Sequence, residues 1–390
     1  MVSSSFVGGL VTRAAVFLMS SHTDFADQAT YTSNTVAALN VLKGWYNTNT
    51  GLWDTTGWWN SANCLTVLAD FAVLNPTSSK TLDIPGMIQN TYEQAQKTQV
   101  QASKKFSTNG LPISTYTRVS KRSTIAKRGF DNFLNDYYDD EGWWALAMVR
   151  SHDVGVYGLG DQQYIQAAVE IFEDMQGGNS TCGGIYWSKV ESYTNAIANE
   201  LYLSVAASLA NRIPAQKDHY LGIAQNQWKW FKNSGMINKN NLINDGLDDN
   251  CKNNNGAIWT YNQGVILGGL VELYKASGDA SLLDEAATIA TAAIAAKSKN
   301  GVLWEGCEPD CGTDGAQFKG IFMRNLYSLQ QAAPRETFRN FLLTNADGIW
   351  ANDRSSSNQL GVSWTGPYSA ASAGTQSSAL DALVAAIGVS

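Results

Sequence analysis

The sequence predicts an all-α fold, an (α/α)6 barrel of inner and outer helices, and three observations carry that prediction. Strand-like alternation is scarce along the chain. Six segments read as helices that are apolar or small on nearly every face, and a helix without a polar face must be buried on all sides. Amphipathic segments alternate with them, each with one apolar stripe suited to an outer layer. A ring of inner helices enclosed by a ring of outer ones buries six such helices in one chain. At 390 residues the chain is long for one small core, but a barrel of this kind accommodates it as a single domain over residues 26–390.

In chain order the buried segments are "NCLTVLADFAVL" from Asn63, "WWALAMV" from Trp143, "ANELYLSVAASLA" from Ala198, "QGVILGGLVELY" from Gln263, "FKGIFMRNLYSL" from Phe318 and "SSALDALVAAIG" from Ser377. The amphipathic segments are "IQNTYEQAQKTQ" from Ile88, "YIQAAVEIFEDMQ" from Tyr164, "YLGIAQNQWKWF" from Tyr220 and "LLDEAATIATAAIAAK" from Leu282, of about six outer helices in all. A Gly-apolar-Trp punctuation recurs at Gly51, Gly184, Gly301 and Gly348. Glycine there suits the left-handed C-cap of a preceding helix, with the tryptophan packing on the next element. Residues 99–130 break the pattern: seven Lys/Arg, no acid and many Ser/Thr read as a mobile basic surface insert. Its Lys-Arg pairs at Lys121 and Lys127 resemble processing sites, though a solvated basic loop is the simpler reading.

In such a barrel the polar residues that open the inner helices collect at one end. They include Trp58, Trp59 and Asn60; Asp139 and Asp140; Tyr193, Thr194 and Asn195; Tyr261, Asn262 and Gln263; Asp314 and Gln317. A cleft lined by rings, amides and carboxylates suits a sugar, whose CH faces rest on rings and whose hydroxyls meet the polar groups.

Composition excludes several alternatives. A net charge of −7 disfavours nucleic acid, which needs a basic face. No apolar run reaches the about 18 residues of a membrane span. Aromatic residues make up 11% of the chain, including 13 Trp, so it is globular. Residues 1–25 read either as a signal peptide with a weak apolar core interrupted by Arg13 or as an ordinary N-terminal segment. Of five cysteines, Cys307 and Cys311 share a Gly/Pro/Asp loop where a short disulfide closes easily, and Cys64 sits in an apolar helix. Only three His are present, none near a Cys pair, so no zinc site is expected. The "NDGLDDNCKNNNG" loop from Asn244 lacks the ligand order of a calcium loop, so neither metal nor cofactor is expected. Asn179 opens a single N-x-S/T site, compatible with secretion.

The stretch "FLNDYYDDEGWWALA" from Phe133 places Asp136, Asp139, Asp140 and Glu141 at the mouth of an apolar helix. Asn135 or Asp136 suits the N-cap, and first-turn acids interact favourably with the helix dipole. Capping explains one or two acids. Trp143 and Trp144 lie one turn below Asp139 and Asp140, and a carboxylate pair over tryptophan suits glycosidase chemistry. One acid stays ionised, while burial and its charged neighbour raise the pKa of the other.

This stretch resembles the signature of glycoside hydrolase family 76, the endo-α-1,6-mannanases. "YTNAIANELYLSVAASLANR", "WTYNQGVILGGLVELYKASGD" and "CGTDGAQFKGIFMRNL" resemble the same family, so the likeness runs from about residue 30 to the end. The resemblance implies the six-hairpin barrel and a secreted or wall-associated enzyme. That enzyme would cleave α-1,6-mannan with retention, Asp139 acting as nucleophile and Asp140 as general acid/base. Trp58, Trp59, Asn195, Tyr261, Asn262 and Gln263 are expected substrate-binding residues; Trp143 and Trp144 read equally as sugar platform or core, and Asp314 equally as a hydroxyl ligand or a helix cap, with Lys319 its candidate partner. The insert at 99–130 is longer than the family pattern and directly precedes the catalytic helix. A monomer is expected. The alternatives are a transglycosidase acting on mannan or GPI-type wall glycans, and a non-catalytic mannan-binding protein on the same barrel.

Overall fold

The computed structural model describes residues 25–98, 100–118, 132–155 and 161–390. The chain builds α1 (Gln28–Gly44), β1 (Tyr46–Asn47), β2 (Leu52–Trp53), α2 (Trp58–Leu74), α3 (Pro76–Thr81), α4 (Ile84–Ala95), β3 (Val100–Phe106) and β4 (Pro112–Arg118). It continues with α5 (Tyr138–Val154), α6 (Asp161–Met175), α7 (Ala196–Arg212), α8 (Lys217–Asn233), α9 (Thr260–Ser277) and α10 (Ser281–Ala296). Then come β5 (Ser298–Lys299), β6 (Val302–Leu303), α11 (Gly312–Gly315), α12 (Phe318–Ala332), α13 (Glu336–Asn352) and α14 (Ala373–Val389).

Helices α2, α5, α7, α9, α12 and α14 form the inner ring: each packs on the next, and α14 returns to α2. Around them lie α1 on α14, α4 on α2, and α6, α8, α10 and α13, each of which packs on two neighbouring inner helices. This is the expected (α/α)6 barrel. Burial follows sequence character. In α14 every residue from Ala373 to Ile387 is buried, whereas α8 buries only Tyr220, Ala224, Gln227, Trp228 and Phe231 along one stripe. The two outer helices without a segment named above are α1 and α13.

Small residues set the spacing of the inner ring. A methyl group on Gly264 of α9 would stand 2.6 Å from Phe322 Cα and 3.1 Å from Ile321 O, both backbone atoms of α12. Gly264→Ala is therefore expected to destabilise the fold by about 1–3 kcal/mol, because a packed helix backbone has to shift. Gly222→Ala in α8, where nothing lies within 4 Å, is expected to stabilise by up to about 1 kcal/mol through helix propensity alone. Urea unfolding of the two variants checks the opposite signs.

Three readings are corrected. Gly51, Gly184 and Gly301 have φ of +66°, +64° and +80°, but they sit in turns outside the helices. Gly51 and Gly301 close the β1–β2 and β5–β6 ribbons, and Gly184 borders the Asn179–Ile185 bridge. Gly348 lies inside α13. Asp136 does not cap α5. Tyr137 holds the N-cap position in an extended conformation, and its N–H is taken by the Asn135 side chain. Residues 100–118 are not a loop: β3 and β4 pair antiparallel from Val100↔Arg118 to Phe106↔Pro112. The Lys-Arg pairs at Lys121 and Lys127, and residues 1–24, lie outside the described residues.

Disulfides join Cys307 to Cys311 and Cys182 to Cys251, while Cys64 is free and buried, its thiol pushed up to about 12 by burial. No helix among the described residues is long and apolar enough to cross a membrane.

Candidate active site

The site forms where the first turns of the inner helices meet. α5 contributes Asp139, Asp140 and Glu141 in its first turn, all buried. Asn135 sets their positions from just outside the helix. Its N–H donates to Glu141 Oε1 at 2.9 Å, its side-chain amide donates to Asp140 Oδ2 at 2.6 Å, and its Oδ1 accepts the Tyr137 N–H. One amide thus fixes both the helix entry and a carboxylate. Glu141 points to the other side, where Lys189 Nζ lies 2.6 Å away and also reaches Asp174.

Lys104 of β3 inserts between the two aspartates, with Nζ 2.8 Å from Asp139 Oδ2 and 2.5 Å from Asp140 Oδ1. Its side chain is 2% exposed, and Nζ also lies over the Tyr137 and Trp187 rings. β4 adds Tyr116, whose hydroxyl donates to Asp140 Oδ2 at 3.0 Å, and the Ser114 N–H, which donates to Asp314 Oδ2 at 2.8 Å. Asp314 also accepts Trp59 Nε1 at 2.9 Å. The hairpin therefore lies across the mouth and touches α5 on one side and α11 on the other.

Burial pushes the Asp140 carboxyl up to about 7; the Asp139 carboxylate adds to the rise and Lys104 opposes it. Burial likewise raises Asp314, and raises Asp245 to about 6 against the hydrogen bond from Tyr193 at 2.5 Å. Beneath the carboxylates four rings stack in a column. Trp59 lies 5.4 Å from Trp143, Trp143 lies 6.4 Å from Tyr261, and Tyr261 lies 3.9 Å from Phe318. All four line the cleft together with Asp139, Asp314, Asn195, Asp245, Trp187 and Phe106.

The structure thus brings Asp139, Trp59, Trp143, Asn195, Tyr261 and Asp314 to the cleft, with Asp140 directly behind Asp139 and reached by Lys104. It does not bring Trp58, Trp144, Asn262 or Gln263 there. Trp58 and Trp144 pack on each other in the core, 5.6 Å apart, because consecutive helical residues point about 100° apart. Gln263 is used structurally: it bonds the Ile243 N–H and carbonyl and the Trp259 carbonyl. Asn262 is fully buried off the cleft. Lys319 pairs with Glu308 and the Val362 carbonyl rather than with Asp314. Asn195 also caps α7 by accepting the Ala198 N–H.

Sequence reasoning missed Lys104, Tyr116 and Asp245. The first two belong to the hairpin. Asp245 opens the Asn-rich loop that starts at Asn244, and its only local signal is "NDG" before the α9 segment. That loop bonds mostly to itself: Asp248 Oδ1 accepts the N–H groups of Asn250 and Lys252.

The family model for glycosyl hydrolase family 76 matches residues 26–388. Among curated relatives, the mannan endo-1,6-alpha-mannosidase DFG5 of Saccharomyces cerevisiae is 26% identical over 248 residues, 58% of this chain and 54% of that protein. The mannan endo-1,6-alpha-mannosidase DCW1 of Candida albicans is 26% identical over 251 residues, 58% of this chain and 55% of that protein. The chain thus spans little more than half the length of these relatives. The solved GH76A α-1,6-mannanase of Salegentibacter sp. HEL1_6 superposes with a TM-score of 0.74 at 23% identity, covering 93% of this chain and 100% of that one. Dfg5 of Chaetomium thermophilum, solved with glucosamine, gives 0.74 at 17% identity over 94% and 92%.

Proposed function

The chain belongs to glycosyl hydrolase family 76, and from that premise we propose that it cleaves α-1,6-mannosidic bonds within mannan, with retention of configuration. The observation that carries this reading is the adjacent pair Asp139 and Asp140 set over the Trp59–Trp143–Tyr261–Phe318 column. The Salegentibacter enzyme supports it: an inactive variant with two adjacent aspartates changed to asparagine was solved with α-1,6-mannotriose.

In this reading the rings carry the CH faces of the sugar. Asp314, Asn195 and Asp245 meet its hydroxyls. Asp139 lines the cleft and attacks the anomeric carbon. Asp140 gives its proton to the departing glycosidic oxygen. The resulting carboxylate then takes a proton from the water that hydrolyses the mannosyl-enzyme. The spacing agrees. One ammonium group bridges the pair with contacts of 2.8 and 2.5 Å. Their nearest oxygens are therefore no farther apart than about 5–5.5 Å, the retaining separation, and closer than the about 6.5–9.5 Å of inverting enzymes.

A digest of unbranched α-1,6-mannan followed by NMR tests the proposal. The first-formed reducing ends should be α. First-formed β ends would overturn retention, and no cleavage under any condition would overturn the function.

A pH profile follows from the roles. Asp140 must be protonated before glycosyl transfer, and burial holds it near 7. Activity should persist well above the about 4 at which a solvated Asp titrates, then fall as the pH rises through about 7. Withdrawal of Lys104 would move that limb upward, since its charge lowers the Asp140 pKa. An alkaline limb at pH 4–5 would remove Asp140 from the acid role.

Two disulfides suit an oxidising compartment, which supports a secreted or wall-associated location.

A further inference from the structure

The β3–β4 hairpin does more than border the cleft. With it in place the space above the aromatic floor is about 10 Å³, room for one water at most. No hexose fits. The group that takes the sugar's place is an ammonium. Lys104 Nζ bridges Asp139 and Asp140, where the positive charge of a glycosyl transition state would develop between nucleophile and acid. We propose that the hairpin is a built-in inhibitory latch, with Lys104 as its bolt, and that it must lift before a glycan reaches the aspartates. This rests on the glycosidase reading of the site.

The hairpin has the construction a latch needs. It is a two-stranded ribbon closed by the residue 107–111 turn, and among the described residues it pairs with no other strand. A ribbon of two strands holds its place through what it docks on. It docks through polar contacts at the mouth, Lys104 on the aspartates, Tyr116 on Asp140, the Ser114 N–H on Asp314 and the Lys104 N–H on the Tyr137 hydroxyl, and through apolar ones, with Val100, Ala102 and Leu111 buried and Phe106 5.1 Å from Trp187. Its outward positions are exposed, including Lys105, Ile113, Thr115 and Thr117. Val100 and Arg118 are cross-strand partners, so the whole ribbon pivots on two adjacent points of the chain.

The same register makes the test clean. Because Val100 and Arg118 face each other, residues 101–117 can be replaced by a Gly-Ser pair without stretching the backbone. Three proteins are compared: wild type, Lys104→Met and the ribbon-excised chain. Access is read without any sugar, by carbodiimide coupling of glycinamide to carboxyls and mass spectrometry. Asp139 and Asp140 should label far more slowly than exposed Asp249 in wild type, and faster in both variants. Labelling of the wild-type pair at the Asp249 rate would overturn the latch. Cleavage of α-1,6-mannotetraose is then measured at each protein's own optimum pH. A kcat/KM at least about tenfold above wild type in both variants is expected, as for a site open about a tenth of the time or less. Equal or lower kcat/KM in both variants would overturn the latch and leave the function standing. Unmasked labelling with no cleavage by any of the three would overturn the function and leave the latch standing.

Discussion

Asp139→Asn and Asp140→Asn should each lower mannan turnover by about 10²–10⁴-fold while the helical circular-dichroism spectrum stays unchanged. The double variant should be little worse than either single one, because the two acids serve one reaction. The two losses differ in kind. Without Asp140 the leaving oxygen lacks a proton, so a substrate with an acidic phenol as leaving group should recover most of its kcat/KM, which reports the first transfer, while kcat stays low because the incoming water lacks its base. Without Asp139 no covalent intermediate forms, so the same substrate should not recover. Azide separates them further: it should restore turnover in Asp139→Gly with an inverted β-mannosyl azide, and in Asp140→Gly with a retained α-azide. Turnover within threefold of wild type in either Asn variant would end the assignment. The opposite azide stereochemistry would exchange the roles.

Lys189→Met should destabilise the fold by about 3–5 kcal/mol at neutral pH, the typical result of stripping one partner from a buried ion pair. Glu141 has no exposed surface and its counter-charge is Lys189 at 2.6 Å. Burial already raises the Glu141 pKa, and Lys189 opposes that rise. Once the lysine is gone, the folded state holds the Glu141 proton to still higher pH than the unfolded chain, which releases it near 4.3. A folded state that binds more protons loses stability as pH rises. The deficit of the variant should therefore be small near pH 4 and grow towards pH 8, as read by urea unfolding at both. Adding Glu141→Gln should restore most of it at pH 8. A deficit independent of pH would mean that packing, not charge, is what Lys189 supplies. Activity should fall along with stability, because Glu141 holds the Asn135 backbone and Asn135 holds Asp140.

The barrel was legible because its information is one-dimensional. All-round apolarity in segments such as "SSALDALVAAIG" has a single physical solution, and α14 is buried accordingly. The aspartate pair was legible for a related reason: four acids before an apolar run exceed what capping needs. The hairpin was hidden by its own function. The inward positions of β3 are Val100, Ala102 and Lys104, and a lysine at the third breaks the apolar alternation by which a strand is recognised. "TNG" between a strand-like "VQASKKF" and the β-branched, aromatic "PISTYTR" was the remaining signal, and the surrounding lysines and serines obscured it. The individual cleft residues were less legible still. Trp143 reaches the cleft and Trp144 the core, and the rotation of α5 that decides between them comes from its packing on α2, α6 and α7.

The return of α14 to α2 also sets the order in which this molecule can assemble. The Gln28 amide bonds the Ile387 carbonyl, 359 positions apart, and Gln376 reaches the Ala38 carbonyl across 338. Contacts between such distant parts carry the largest chain-closure cost and form late. Until they do, the two open flanks of the ring present α2, buried over nearly its whole length in the closed barrel, and the apolar stripe of α12 through Ile321, Phe322, Leu326 and Leu329. The growing or refolding chain thus carries a sticky seam through most of its assembly. The final helix closes that seam.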